Sequence, residues 1–582
     1  MSTFGVADWA VVLGVLVGTT VLGERLAGRQ KSARDFFLGG RRLPWYAVAA
    51  SIVATEISAV TYVSFPSGVA REGGNMTYLQ IVLFGSLLAR AFVGYVLVPA
   101  YYKHEIYSPY DYVGRRLGAR GKTVTSALFA LGGVLGQSAR VYMTALVLGV
   151  LLQSELAQLQ EWTGLPPLVS SVLVITAVAV AWTWMGGIAT VVWTDAVLFV
   201  LFLVGIGAAL ATVAGNLEGG LSEAMSTGWE AGKFQVVDLS MDPRLAYTLM
   251  MALVFSSWGQ IGPYGCDQLM VQRLFCCRDA REARKAILAS TAAAGVVFMM
   301  GVVGVALFSY YRANPMGAEE ASLVAEAPDR LFPLFVKQVM SSPWKGLVVA
   351  GVFAAAISSL DSILAALSQT TLSAIVIPRR RRRLEAAGLG AGGEEQEARW
   401  MVRASRWLVL GWGVVLAAAA VGASEVAKRY ESVLDLALAM AGYTGGALLA
   451  AFFLAFLPLR PRSKGFAWSA SLSVMTVFAI VWHGAYAERA CMAFALLFVL
   501  AWFLRGAHRE AADGVARVAP SVFLVLGALL PWVLCRYAVW PDGTVLPWPT
   551  YIPIGSLTAF LFALALDPVG SEPTDPVEPE LA

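Results

Sequence analysis

The sequence predicts an all-α integral membrane protein with about 15 transmembrane helices. Of its 582 residues, 58% are hydrophobic and only 14% are charged, and the mean hydropathy is +0.66. Soluble domains carry about 25% charged residues, so a soluble fold is excluded for a chain of this composition. The net charge of +4 is small and gives no reason to expect a nucleic-acid partner. We therefore expect the lipid bilayer to surround most of the chain.

Apolar runs of about 20 residues, the length that crosses the hydrocarbon core of a membrane, fill the sequence. The first run has no positive charge ahead of it and no small-residue cleavage pattern behind it. We therefore expect it to be retained rather than removed as a signal peptide. The candidate spans, numbered 1 to 15 in chain order, lie at 6–23, 43–68, 77–102, 123–152, 166–184, 189–215, 246–270, 286–311, 346–377, 405–423, 432–457, 466–486, 490–504, 519–535 and 551–566.

The distribution of basic residues predicts the orientation of these spans. Lys and Arg residues beside a span are retained on the cytoplasmic side. Thirty of the 43 basic residues lie in the loops after spans 1, 3, 7, 9, 11 and 13. We therefore expect a multi-pass protein of the plasma (cytoplasmic) membrane, with its N-terminus outside and its C-terminus inside.

Charged residues inside the spans mark the candidate functional region. An ionisable side chain in hydrocarbon costs roughly 3 kcal/mol even on lenient scales, so each one is a candidate functional residue. The candidates lie between spans 2 and 11, which confines the functional region to ten consecutive helices. They are Glu56, Arg90, Arg140, Asp195, Asp267, Asp361 and Asp435.

Spans 2 and 7 both contain residues that interrupt a helix. Span 2 carries the polar segment Thr55 to Ser58 and then Pro66, and span 7 carries the segment Gly259 to Gly265. Because the two spans are five apart, repeats that contain them have opposite orientations. This is the layout of an inverted-repeat transporter, whose broken helices meet at the membrane midplane. The alternative is that Gly and Pro merely bend packed helices.

Span 9 carries hydroxyl and carboxylate groups on one helical face. Ser358, Asp361 and Ser362 share that face, with Ser359 at its edge. Oxygen ligands of this kind suit a hard monovalent cation. The alternative is that the serines bond back to the preceding turn or allow close helix packing.

Other cofactor and enzyme chemistry has little support in the sequence. The chain contains three histidines, each isolated, and its cysteines have no metal-ligand spacing, so we expect neither a redox centre nor an enzyme. The five cysteines are Cys266, Cys276, Cys277, Cys491 and Cys535.

A set of short motifs, in this order along roughly residues 35 to 460, resembles the sodium/solute symporter family, which includes sodium-coupled sugar, proline and monocarboxylate carriers. The resemblance implies an all-α fold with an inverted five-helix repeat of the leucine-transporter type, preceded by one extra helix. It also implies sodium as the coupling ion. The motifs are Asp35–Arg41, Ala54–Ser58, Trp193–Asp195, Asp267–Arg273 and the Ala-Ala-Ile-Ser-Ser-Leu-Asp-Ser segment that ends at Ser362.

The predicted organisation follows from the spans and this resemblance. An N-terminal extra helix and cytoplasmic loop (1–42) precede the first five-helix repeat (43–245) and the second (246–460). Four additional C-terminal helices (461–567) carry no family motif. The acidic, proline-rich tail (568–582) is expected to be disordered and cytoplasmic.

The resemblance also implies a sodium site and a possible second one. The main site takes backbone carbonyls from span 2 and both carbonyl and hydroxyl oxygens from span 9. The second site lies near the cytoplasmic exit. The main-site residues are Ala54, Ile57, Ala355, Ser358 and Ser359, and those of the second site are Asp195, Asp361 and Ser362.

A substrate pocket is implied between spans 2, 3, 4, 7 and 11. A buried guanidinium at Arg140 suits bidentate recognition of a carboxylate, which favours a small organic anion. Alternatively, Arg140 pairs with Glu56, and the pocket recognises amide or hydroxyl groups, as in a sugar or polyol, by hydrogen bonds. An uncoupled transporter or a sensor with the same fold is a further alternative. The implied pocket residues are Glu56, Ser58, Thr61, Gln80, Arg140, Gln260 and Tyr443.

Overall fold

The computed structural model confirms that the chain is all-helical. It describes residues 4–27, 38–57, 59–104, 106, 108–185, 188–388, 394–428, 430, 433–457, 463–504, 514–537 and 544–566. Within these ranges there is no β-strand, and the one β-type contact is an isolated bridge between Leu43 and Cys277. The predicted disordered tail, 568–582, lies outside the described residues.

The described helices account for a multi-pass membrane protein. Ten are long and apolar enough to cross a bilayer, and a bent pair of helices forms an eleventh crossing at span 2. Shorter apolar helices occupy the positions of spans 1, 12 and 14, and span 7 is irregular. Every predicted span therefore corresponds to a helical segment. The inside and outside positions of the termini stay a prediction, as do the limits of the two repeats.

The longer helices are numbered here in chain order. The bent crossing at span 2 consists of α2 and α3, span 9 is α14, span 11 is α17 and span 15 is α21. The helices are α1 Val6–Ala27, α2 Trp45–Glu56, α3 Ala59–Ala70, α4 Tyr78–Lys103, α5 Pro109–Leu151, α6 Gln153–Thr163, α7 Pro167–Met185, α8 Ile188–Gly215, α9 Gly220–Glu230, α10 Gln268–Phe275, α11 Ala280–Ala313, α12 Ala318–Glu326, α13 Leu331–Gln338, α14 Trp344–Thr371, α15 Ile377–Ala386, α16 Glu394–Ala427, α17 Val433–Phe456, α18 Ser463–Val481, α19 Ala485–Leu504, α20 Gly514–Tyr537 and α21 Tyr551–Leu566.

Helix α5 begins 14 residues before the predicted start of span 4. Ser108 caps its first turn, and Asp111 accepts a hydrogen bond from the Ser108 amide at 2.9 Å. Gly118, with φ of 79°, then breaks the helical geometry. The segment before Gly118 carries charged residues, so a search for uncharged apolar runs does not detect it.

Span 7 is not one regular helix. Two π-helical segments, Met251–Ser256 and Gly262–Cys266, flank a single short turn, and Asp267 is extended with ψ of 128°. Asp267 then caps α10 by accepting a hydrogen bond from the Leu269 amide at 2.8 Å. Pro263 contributes to the irregularity because it lacks an amide hydrogen. The interruption expected from the sequence is therefore present.

Helix α14 lies at the centre of the bundle. In the most apolar stretch of the helix that begins at Trp344, 94% of the residues are buried. In the helix Ala485–Trp502 the corresponding share is 28%. A carboxylate near the start of α1, Asp8, is fully buried and accepts a hydrogen bond from the Gly346 amide at 3.0 Å. The extra N-terminal helix is therefore fastened to the first turn of α14.

Helix α21 packs in close backbone contact with α17. A Cβ atom added to Gly446 would lie 2.7 Å from the backbone of Gly555, so only glycine fits at this crossing. The Ser473 hydroxyl of α18 donates a hydrogen bond to the Gly555 carbonyl at 2.7 Å. The last crossing of the chain therefore belongs to the packed interior, next to a helix of the predicted second repeat.

Candidate sodium and substrate site

The break in span 2 exposes backbone oxygens inside the bundle. Helix α2 ends at Glu56, Ile57 has ψ of 81°, and the two halves of the crossing are bent by 55°. The last carbonyls of one helix and the first amides of the next lack the partners that a continuous helix supplies. Ala54 and Ile57, which were predicted to contribute carbonyl ligands, are both buried.

Helix α14 packs against both halves of the broken crossing. It brings Ala355, Ser358 and Ser359 to the same region, and all three are buried. The Ser358 hydroxyl donates a hydrogen bond to Asp195. The Ser359 hydroxyl has no hydrogen-bond partner among the described residues. Its oxygen is therefore free to coordinate an ion; Ser368 and Thr370, farther along the same helix, also lack side-chain partners within the described ranges, so the position beside the break is what singles out Ser359.

Asp195, on α8, accepts hydrogen bonds from several helices. It is fully buried, and its Oδ2 accepts from the Ser51 hydroxyl of α2 at 2.5 Å. The Arg273 guanidinium of α10 forms an ion pair with the same oxygen at 3.1 Å. Together with the contact from Ser358, these bonds join α2, α8, α10 and α14 around one carboxylate.

Arg273 also reaches the other residues of the predicted second sodium site. Its Nη2 donates to the Ser362 hydroxyl at 2.6 Å, and Ser362 donates to Asp361 at 3.2 Å. The two predicted sodium sets are therefore parts of one network, with Arg273 between Asp195 and Ser362. Two carboxylates and one guanidinium give this buried network a formal net charge of −1.

The structure corrects the position that was expected for Arg273. The pattern of basic residues places it in the cytoplasmic loop after span 7, among the residues that set the orientation. It is instead 1% exposed and lies within the bundle. Helix α10 follows the irregular segment directly, so the charge belongs to a buried helix. The motif Gln272-Arg273 was the available signal, but an apolar-run search ends before it.

Glu56 pairs with Arg90 rather than with Arg140. The Arg90 guanidinium of α4 forms an ion pair with Glu56, and the Tyr264 hydroxyl donates to Glu56 at 2.6 Å. Arg90 also lies over the Tyr264 ring, 4.3 Å from its centroid, and donates to the Ser290 hydroxyl at 3.0 Å. The alternative in which Arg140 neutralises Glu56 is therefore wrong.

Arg140 lies on α5 and lines a central cavity of about 230 Å³. It forms no ion pair with a carboxylate among the residues that the structure describes. Its Nη1 donates to the Thr55 carbonyl of the broken crossing at 3.4 Å. The guanidinium therefore contacts the backbone beside the predicted sodium site while facing the cavity.

The central cavity contains four of the predicted substrate residues. Glu56, Thr61, Arg140 and Gln260 all line it. Further polar groups at the cavity were not predicted as substrate contacts, because they lie on helices whose facing sides the sequence does not reveal. They are Tyr78, Gln137, Ser256, Tyr264 and Asp267.

Two predicted substrate residues, Gln80 and Tyr443, lie away from the cavity. Gln80 is fully buried and donates to the Tyr247 carbonyl at 2.8 Å. Tyr443 accepts a hydrogen bond from the Trp482 indole at 2.5 Å. Neither residue lines the cavity, because each points toward a neighbouring helix or loop. Ser58 lies outside the described residues.

Comparison with known proteins decides the family. The model of the Sodium:solute symporter family matches residues 36–473. The chain belongs to this family. Human sodium-coupled monocarboxylate transporter 1 is 26% identical to this symporter over 496 residues, 84% of this chain and 75% of that protein. The sodium/sialic acid symporter SiaT of Proteus mirabilis is 28% identical over 368 residues, 63% of this chain and 70% of that protein.

A solved structure has the same fold as this symporter. The substrate-bound, outward-open state of a Na⁺-coupled sialic acid symporter has a TM-score of 0.69 and 22% identity, covering 97% of this chain and 99% of that one. The predicted fold class, an all-helical membrane protein with a leucine-transporter-type inverted repeat, is confirmed. The chain is a sodium-coupled solute symporter and not an enzyme.

The oxygen donors at the break fit sodium as the transported ion. The described residues contain no group of three or more His, Cys, Asp or Glu side chains that suits a transition metal. Carbonyl and hydroxyl oxygens near a net charge of −1 match a hard monovalent cation instead.

The ion pair between Glu56 and Arg90 gives a stability prediction. Glu56→Gln leaves the fully buried Arg90 without a charge partner, and we expect a loss of about 3–5 kcal/mol, seen as a lower unfolding temperature in detergent. The double variant Glu56→Gln, Arg90→Met is expected to recover most of the loss. The matched double variant Glu56→Gln, Arg140→Met is not expected to recover stability. Recovery of the unfolding temperature in that variant alone would contradict the pairing of Glu56 with Arg90.

Proposed function

We propose that this symporter couples the inward movement of one sodium ion to the uptake of a small organic carboxylate by alternating access. The observation that carries the proposal is Arg140, a cavity-lining guanidinium with no carboxylate partner among the described residues. Arg90 already neutralises Glu56, and Arg140 forms no ion pair with Asp267, the other carboxylate that lines the cavity, so its positive charge is available to an anionic solute.

The cavity favours a small, partly apolar solute. Its volume of about 230 Å³ lies below the range of about 300–1,000 Å³ that is usual for drug-sized ligands. Apolar residues of α17, among them Leu434, Ala437 and Leu438, form part of the lining. A carboxylate bound to Arg140, with its hydrocarbon portion against this lining, matches both features. The similarity to sodium-coupled monocarboxylate transporters supports the same solute class.

Sodium is proposed to bind at the break in span 2. Its ligands are the carbonyls of Ala54, Ile57 and Ala355 and the hydroxyls of Ser358 and Ser359. Ser358 uses its hydrogen to bond Asp195, and its oxygen lone pairs remain for a cation. The Ser359 hydroxyl lacks another partner in the described part of the chain. These positions support a single ion held between span 2 and α14.

The charge of the neighbouring network supports a coupling ratio of one sodium per solute. Asp195, Asp361 and Arg273 carry a net charge of −1, which is costly in a low-dielectric interior. One sodium beside Ser358 brings this charge to zero. The second site proposed from Asp195, Asp361 and Ser362 already contains the guanidinium of Arg273, which repels a further cation.

Arg140 provides a direct connection between the ion and the solute. Its guanidinium contacts the Thr55 carbonyl, which lies one residue beyond the proposed Ala54 ligand. A sodium ion that orders this backbone also fixes the position of Arg140, and so favours the state that binds solute from outside. One sodium and one monocarboxylate carry no net charge, so only the chemical gradients drive the cycle. A tenfold sodium gradient supports about tenfold accumulation.

The solute class is tested by comparing carboxylates with their primary amides, which lack the charge. In purified wild-type protein with sodium, we expect short monocarboxylates to bind and to raise the unfolding temperature. Arg140→Ala is expected to weaken carboxylate binding by roughly 10- to 100-fold, because a charge-assisted contact is lost. Arg140→Lys should recover only part of the affinity, since it keeps the charge without the bidentate geometry.

Arg312→Ala is the control for this comparison, because Arg312 is an exposed arginine at the end of α11. We expect it to bind carboxylates with wild-type affinity. Unchanged carboxylate binding by Arg140→Ala, or sodium-dependent binding of sugars or polyols in place of carboxylates, would reject the proposed solute.

The sodium site is tested with the double variant Ser358→Ala, Ser359→Ala. Loss of two hydroxyl ligands is expected to raise the half-saturating sodium concentration for uptake about tenfold or more. Ser368→Ala is the matched control, because Ser368 is a buried serine farther along the same helix. Uptake that keeps its sodium dependence in the double variant would exclude this site, and equal uptake without sodium would indicate uncoupled transport.

A further inference from the structure

The last crossing of the chain reaches the central cavity. Among the residues that line the cavity, Trp548 and Pro549 belong to the short 3₁₀ turn Trp548–Thr550, and Ile552 belongs to the first turn of α21. These residues lie beyond the part of the chain that the family model matches, which ends at residue 473. The cavity is therefore incomplete without a segment that the family comparison does not cover.

Helix α21 contacts both elements that form the adjoining walls. A Cβ atom on Gly259 of the irregular span 7 would lie 3.6 Å from the Ile552 Cβ and 3.5 Å from the Pro553 ring. A Cβ atom on Gly445 of α17 would lie 3.0 Å from the Ile552 side chain. Ile552 therefore fills the space between span 7 and α17, where both approach the cavity with small residues.

The turn before α21 is held in place by local constraints. Pro547 and Pro549 fix two backbone φ angles around Trp548. The Thr550 amide and hydroxyl both donate hydrogen bonds to the Pro547 carbonyl, at 3.1 and 2.8 Å. Trp548 therefore sits on a short, rigid turn at one end of the cavity.

Aromatic rings continue from Trp548 across this end of the cavity. The Tyr247 ring lies 6.5 Å from that of Trp548, and the Tyr78 ring lies 5.6 Å from that of Tyr247. Tyr247 is fixed by a 2.6 Å hydrogen bond from its hydroxyl to Asp435. Tyr78 and Trp548 both line the cavity. In the predicted orientation, this end faces the outside.

We propose that α21 and the turn before it form an apolar wall of the substrate cavity, in which Trp548 and Ile552 determine which solutes fit. The hydrocarbon portion of the solute packs against this wall, while its polar head binds elsewhere in the cavity. The identification of the head as a carboxylate rests on the proposed function, but the wall itself does not. The C-terminal crossing thereby contributes to specificity rather than only to packing.

The specificity role is tested with Trp548→Ala and Ile552→Ala and a series of straight-chain monocarboxylates. Enlarging this end of the cavity is expected to shift preference toward longer chains. For each methylene group that the wild-type cavity excludes, we expect a longer acid to gain up to about fourfold in affinity relative to the acid that is one methylene shorter. The half-saturating sodium concentration should stay within about twofold of wild type.

Trp532→Ala is the matched control, because Trp532 is a half-buried tryptophan of α20 that does not line the cavity. It is expected to keep the wild-type chain-length preference. If Trp548→Ala and Ile552→Ala also keep it, while Arg140→Ala weakens carboxylate binding as expected, the wall is rejected and the proposed function stands.

A thiol-labelling experiment tests the wall without any solute. The five native cysteines are buried, so the background reaction with a polar methanethiosulfonate reagent is expected to be low. In detergent-solubilised protein, Ile552→Cys should react because it faces the aqueous cavity, whereas Ala559→Cys, fully buried on the same helix, should not. Failure of Ile552→Cys to react more than Ala559→Cys would overturn the inference, even if no carboxylate binds.

Discussion

The cost of placing charge in hydrocarbon governs the arrangement of this protein. Away from the cavity, a buried charge is costly unless it pairs with a charge on another helix. Glu56 and Arg90 join the broken crossing to α4, and Asp195 and Arg273 join α8 to α10. These pairs hold the helices in register and determine which charges remain for ligands.

Beyond these two pairs, charges of opposite sign lie beside the two proposed binding sites. The network of Asp195, Asp361 and Arg273 has a net charge of −1, and it contacts the proposed sodium ligands through Ser358. Arg140, on the cavity side, is positive and bonds to the backbone of the broken crossing. A cation and an anion bound together satisfy both at once. In the proposed mechanism, binding either one alone leaves the other charge uncompensated, which gives a physical basis for coupling.

Much of the fold was predictable because hydrophobic length and motif order are properties of the sequence itself. The spans, the break at span 2 and the cavity-lining residues Glu56, Thr61, Arg140 and Gln260 followed from them. The partner of Glu56 was not predicted: Arg140 was the candidate, and only helix packing shows that Arg90 takes this place. Arg273 was missed because its charge resembles that of a loop anchor. The part played by α21 was missed because its apolar residues and prolines are typical of any membrane span.

The central claim is that Arg273 supplies the positive charge that a second sodium ion would otherwise supply. The number of sodium ions transported with each solute tests this claim most directly. Radiolabelled sodium and a radiolabelled monocarboxylate can be followed together into proteoliposomes, with the membrane potential set to zero or to about −100 mV. We predict one sodium per carboxylate and an initial rate that does not change with potential, because the loaded carrier moves no net charge. Two sodium ions per carboxylate, with uptake faster at the negative potential, would contradict the account.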